Sequence, residues 1–155
     1  MKTQPPRGRK RLVGFRSERG AAAVEFALVA PLLFLLVFGI IDFGFGFHAW
    51  DAAENASREG ARIAAVDPNT SHIIARVQSA ASVLDASKLG VTVSCSHNNG
   101  ISFGSCPVST TWAEGDIVRV TVTYDYDFMT PLGTWVGLGS HLHETAVSEA
   151  RFEGQ

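Results

Sequence analysis

A chain of 155 residues has room for about one small domain beside a membrane segment, which leaves no space for a second folded core. The formal net charge of -2 hides an asymmetry: residues 1–20 carry seven basic groups against Glu18, a balance of +6, while the remainder carries six basic and fourteen acidic groups, a balance of -8. Because the basic tail abuts an apolar run, it reads as a signal for retention in the cytoplasm and not as a nucleic-acid-binding arm.

From Phe26 to Ile41 every residue is apolar, Gly or Pro, and Glu25 is the lone charge between Ala21 and Ile41. Carried past Asp42 through Phe43, Phe45 and Phe47, the run reaches about 22 residues, enough to cross a hydrocarbon core of about 30 Å. His48 and Trp50 then fall where amphipathic rings favour the membrane surface. A secretory signal peptide fits poorly, because its apolar core is usually about 7–15 residues and no A-x-A pattern lies between His48 and Gly60. A buried core helix this apolar would need a larger domain around it than the chain can build.

Beyond the span the pattern turns amphipathic without a break. Ala49, Ala53, Ala56, Gly60 and Ala64 form one stripe, with Glu54 and Arg58 paired four residues apart on another face. Asp67-Pro68-Asn69 stops the helix, since Pro68 has no amide to donate and restricts its predecessor. One helix from Ala21 to Val66 would be about 69 Å long. Its small-residue stripe suits close approach by another helix or by a sheet, and equally an ordinary alanine-rich packing face.

Ser71 is placed to cap a second helix, with Ile73, Ile74, Val77, Ala81 and Leu84 on one face and Gly90 marking its exit. The period then changes to two. Val91, Val93 and Cys95 alternate with Thr92 and Ser94, and Asn98-Asn99-Gly100 signals a turn into a short ISFGSC segment. Asp116 to Phe128 is the clearest strand: Val118, Val120, Val122, Tyr124, Tyr126 and Phe128 share a core face, and Arg119, Thr121, Thr123, Asp125 and Asp127 a wet one. His143 to Phe152 is read as a final strand. The fold class is therefore α+β, a long membrane helix continuing into an amphipathic helix and then a small antiparallel sheet. Its predicted divisions are a basic cytoplasmic leader over 1–20, a membrane helix over 21–47, helical segments over 48–85 and an outer sheet domain over 86–155.

Cys95 and Cys106 flank the turn and, if bonded, close a loop of about 12 residues, for which the chain-entropy estimate is about 3 kcal/mol. Two unpaired buried thiols are the alternative. Neither a CxxC nor a zinc-spaced Cys/His cluster occurs. His141 and His143 sit two apart on one strand face, a spacing open to a metal and to a plain solvated pair. Asp116, Asp125 and Asp127 could suggest calcium, but the last two belong to an alternating polar face. With no Gly-x-Ser-x-Gly and no P-loop, no catalytic residue, cofactor or metal site is expected.

The chemistry-bearing motif lies where tail meets helix: Arg19-Gly20-Ala21-Ala22-Ala23-Val24-Glu25-Phe26, a basic leader ending in Gly, small residues, then an acid five positions after that Gly. This resembles the processing site of type IV pilin-like proteins. The longer stretch RGAAAVEFALVAPLLFLLVFGIIDFG, together with ENASREGARIAAV, resembles the TadE family, minor pseudopilins of the tight adherence (Flp) pilus. The resemblance implies a pseudopilin-like fold and cleavage between Gly20 and Ala21 by a membrane prepilin peptidase. Glu25 would become residue five of the mature chain and, with Phe26, serve assembly and charge pairing. The small-residue stripe gives Ala53, Ala56, Gly60 and Ala64 as the candidate helix-packing residues. The partners implied are other pilins or pseudopilins, the assembly platform and membrane lipid. The location would be the inner membrane, single-pass, with the N-terminus cytoplasmic and the C-terminal domain outside. Relatives called TadG can carry a metal-binding D-x-S-x-S motif, but Asp85-Ala86-Ser87-Lys88-Leu89 lacks the second serine. The alternative is an uncleaved bitopic envelope protein whose outer domain binds a ligand.

Overall fold

The computed structural model describes residues 17–106 and 112–154, with side chains considered from Gly20 onward. Most of the predicted leader, through Arg16, lies outside the described residues. Helix α1 runs Ser17–Ala64, and the chain divides within it into two units, Met1–Val37 and Phe38–Gln155.

In the first unit α1 has no polar face. Leu32, Leu33, Phe34, Leu35 and Leu36 are all exposed, and five successive residues at about 100° each cover the whole circumference of a helix. A helix apolar all round and largely exposed is suited to lipid, and among the described residues α1 is the one helix long and apolar enough to cross a membrane.

The second unit is an α+β domain. Helix α1 ends at Ala64, a turn short of Asp67-Pro68. Helix α2 spans Thr70–Ala80, a 3₁₀ turn Ala86–Lys88, and strands β1 Leu89–Ser96, β2 Gly104–Ser105, β3 Ile117–Asp127 and β4 His141–Arg151 form an antiparallel sheet in the order β2-β1-β3-β4. A short helix α3, Leu132–Trp135, lies between β3 and β4. The alternation in β3 holds: Val118, Val120 and Val122 are fully buried, and Tyr124 and Tyr126 nearly so. The turn at Asn99 and Gly100 takes left-handed backbone, φ 59° and 86°, as Asn and Gly permit.

Two readings of the second helix need correction. Its cap is Asn69, whose Oδ1 accepts from the Ser71 and His72 amides; Ser71 lies inside the first turn. The helix also stops at Ala80, and Gly90 is inside β1, where a Cβ would stand 2.3 Å from Thr123 Oγ1. Gly90 is therefore small because of its cross-strand neighbour, not because a helix ends there.

Helix α1 covers one face of the sheet. Gly60 meets Val120 and Gly46 meets Tyr126, so α1 runs antiparallel to β3, fourteen helical residues and six strand residues each covering about 20 Å. Helix α2 closes the far end of the core through fully buried Ile73 and Val77. Ser57 Oγ lies 2.8 Å from Ser148 Oγ, and the Glu153 amide donates to Ala65 O, tying β4 and the chain beyond it to α1.

Candidate functional site

Gly20, Ala21, Glu25 and Phe26 all lie exposed on the first turns of α1. Nothing comes within 4 Å of a Cβ placed on Gly20, so the junction is sterically open on the described side. Glu25 stands among exposed Val24, Phe26 and Leu28, a carboxylate in an apolar field.

Ala53, Ala56, Gly60 and Ala64 are buried in the core of the second unit. A Cβ on Gly60 would stand 2.4 Å from Val77 Cγ2 and 3.0 Å from Val120 Cγ1. This stripe is small because the chain's own sheet and α2 press against it, so it is not free to receive a neighbouring helix. Glu59 beside it takes hydrogen bonds from Arg62 on α1 and Arg76 on α2, which hold its carboxyl down at about 2.

Cys95 and Cys106 are joined in a disulfide that fastens the segment holding β2 to β1. His143 Nδ1 lies 2.7 Å from Asp125 Oδ1 across β3 and β4, and His97 Nδ1 2.7 Å from Asp116 Oδ2. Asp116 also accepts from the Ala113 amide, so its buried carboxylate is occupied in closing a turn. Among the described residues no three His, Cys, Asp or Glu side chains stand together in a way that could hold a metal.

Two features escaped sequence reasoning. Asp42, read as a blemish in the apolar run, is buried and binds the loop after β3: its Oδ1 accepts from the Met129 and Thr130 amides, and its Oδ2 from the Thr130 hydroxyl. Asp42 and Gly46, inside the stretch assigned to the bilayer up to residue 47, thus contact the folded domain. A charge in an apolar helix is the signal that pointed there. The second feature is a groove of about 800 Å³ between α1 and the ends of β3 and β4, with an acid, Glu144, on the core face of β4. Tyr126 Oη and Glu144 Oε2 are buried there without hydrogen-bond partners. Burial pushes both groups above their usual range, and for Tyr126 the negative charges of Asp42 and Glu144 add to it.

Against this geometry, the family model described as TadE-like protein matches residues 20–62. Residues 20–62 are TadE-like. The TadE-like stretch opens at the Gly20–Ala21 junction, takes in Glu25, Asp42 and the buried Gly60, and closes at exposed Arg62. It leaves the sheet outside. No curated protein and no solved structure matches the chain.

Proposed function

We propose that this chain is a minor pseudopilin of the tight adherence type, processed by a prepilin peptidase and acting to assemble or prime a surface pilus. The single observation that carries this reading is the junction itself: a basic leader, Gly20, small residues and Glu25 at the head of an apolar helix, in the register at which the TadE-like match begins. The chain holds itself in the inner membrane through α1, with Met1 in the cytoplasm and the sheet domain outside. Cleavage after Gly20 removes the basic leader and frees the α-amine of Ala21. The helix then passes from the membrane into a filament beside other pilins at the assembly platform.

Support also comes from the packing of the stripe. Since Ala53, Ala56, Gly60 and Ala64 are used within the chain, exposed apolar surface for neighbouring helices lies earlier on α1, from Val24 onward.

The test is the intact mass of the protein recovered from envelopes. A mature chain beginning at Ala21, and a full-length one for Gly20→Val, is the expected result; an Ala21 start in the variant, or a full-length wild type in cells with active peptidase, overturns it.

A further inference from the structure

The groove beside α1 is mainly apolar and is lined by an acid, Glu144, with a buried oxygen that no hydrogen bond satisfies. Its walls are mainly Phe43, Phe47, Trp50, Tyr126, Phe128 and Leu138, and its volume of about 800 Å³ lies within the range of about 300–1,000 Å³ usual for small-molecule sites. Glu144 is 7% exposed and its Oε2 has no partner. A buried polar atom costs free energy unless something bonds it, and a carboxylate more so.

The charges around Glu144 define what is missing. Asp42, also in the lining, is satisfied by the Thr130 loop, and His143 is engaged by Asp125. Among the described residues no Lys or Arg lines the groove. The chamber therefore presents negative charge and aromatic rings, which together favour an organic cation; Phe47 and Trp50 stand 5.6 Å apart and Tyr126 and Phe128 6.0 Å.

Location names the source. Asp42 directly follows Ile41, the last residue of the apolar run, and Gly39 one turn earlier lies against Leu132 of α3. The groove thus lies beside the C-terminal end of the apolar run. Phe43 and Phe47, which line the groove, are 70% and 67% exposed, so the exposed apolar surface of α1 continues into it.

We infer that this groove binds one phospholipid of the adjoining leaflet, its cationic amine headgroup set against the Glu144 carboxylate and the Tyr126 hydroxyl and its acyl chain laid along Phe43 and Phe47. The site needs α1 and the folded domain and is independent of cleavage after Gly20, so it stands or falls apart from the pseudopilin reading.

The test uses the full chain in nanodiscs of equal phosphatidylethanolamine and phosphatidylglycerol, released and weighed by native mass spectrometry with its retained lipid. The expected result is about tenfold enrichment of the amine lipid, the ratio that one charge-assisted hydrogen bond supports, falling to parity in Glu144→Gln. Equal retention of both lipids by the wild type, or an undiminished preference in Glu144→Gln, overturns the inference. So does a Leu138→Cys chain that crosslinks to a second protein through the groove while carrying no lipid. Should Glu144→Gln fail to keep its disulfide resistant to alkylation, Tyr126→Phe serves instead: a reduced amine-lipid preference supports the site, and an unchanged one overturns it.

Discussion

The carboxylate of Asp42 holds Thr130, accepting both its amide and its hydroxyl while also taking the Met129 amide. One side chain of α1 thereby fixes the start of the loop that carries α3, and it does so from the first polar position after the apolar run. Asp42→Ala leaves two amides of that loop without acceptors and should lower the stability of the domain by about 2–4 kcal/mol, whereas Asp42→Asn keeps an acceptor and should cost about 1 kcal/mol. Denaturant titration in detergent, followed by tryptophan fluorescence, separates the two; equal losses would mean that the hydrogen bonds are not the cause.

Gly60 and Gly20 should respond oppositely to the same change. A Cβ at Gly60 drives into Val77 and Val120, so Gly60→Val should cost about 1–3 kcal/mol or more of domain stability, while Gly20, with nothing near its Cβ, should leave the melting temperature unchanged on conversion to Val. Thermal unfolding of both variants decides it.

The outlines of this fold were legible wherever a local rule operates. Pro68 marks the end of α1, the six apolar positions from Val118 to Phe128 mark β3, and Asn98 to Gly100 marks the turn. What stayed hidden depends on distant partners. Asp42 meets Thr130 across 88 positions of sequence, and no periodicity announces such a pair. Asn69 and Ser71 are both capping residue types, so only backbone conformation tells them apart, φ -100° and ψ 104° at Asn69. Glu144 hid because a carboxylate on a strand reads as solvent-facing until the facing helix is in place.

Acid should loosen the joint between α1 and α2. The Glu59 carboxyl is lowered from 4.5 to about 2 by Arg62 and Arg76, so its stabilising contribution is full above about 4.5 and is lost as pH falls towards 2. Glu144 has the opposite sign: raised by burial, it favours the fold below the usual carboxylate range and loses that contribution as pH rises through its folded value. Melting curves against pH should therefore flatten on the acid side in Glu59→Gln, and should rise by a few degrees near neutrality in Glu144→Gln when amine lipid is absent. Because Glu59 is a surface group, its share should also shrink in high salt.

The bond between Cys95 and Cys106 closes a short loop around the turn at Asn99 and pins the segment of β2 to β1. Cys106→Ser should lower the stability of the domain by about 3 kcal/mol, and both thiols of the wild type should resist alkylation until reduced. Ready labelling of unreduced protein from the envelope would contradict this.

Glu25 tests assembly itself. It lies exposed on α1 between Val24 and Phe26, and a carboxylate at the bilayer centre costs about 2.5–3.5 kcal/mol on insertion scales, less towards the edge. Among the described residues no hydrogen bond or ion pair joins Glu25 to another group. Cleavage after Gly20 would supply a partner, the positive α-amine of Ala21, in its own chain or in a neighbour's. Paired between chains, the two charges would fix the axial register of one apolar helix against the next. Glu25→Ala should therefore insert, fold and be cleaved as the wild type is, with the same domain stability, yet fail to crosslink to its pilin partners and leave filaments scarce. Crosslinking yield measured beside intact mass separates this from a processing defect, and wild-type crosslinking with wild-type filament numbers would assign Glu25 to the headgroup region alone.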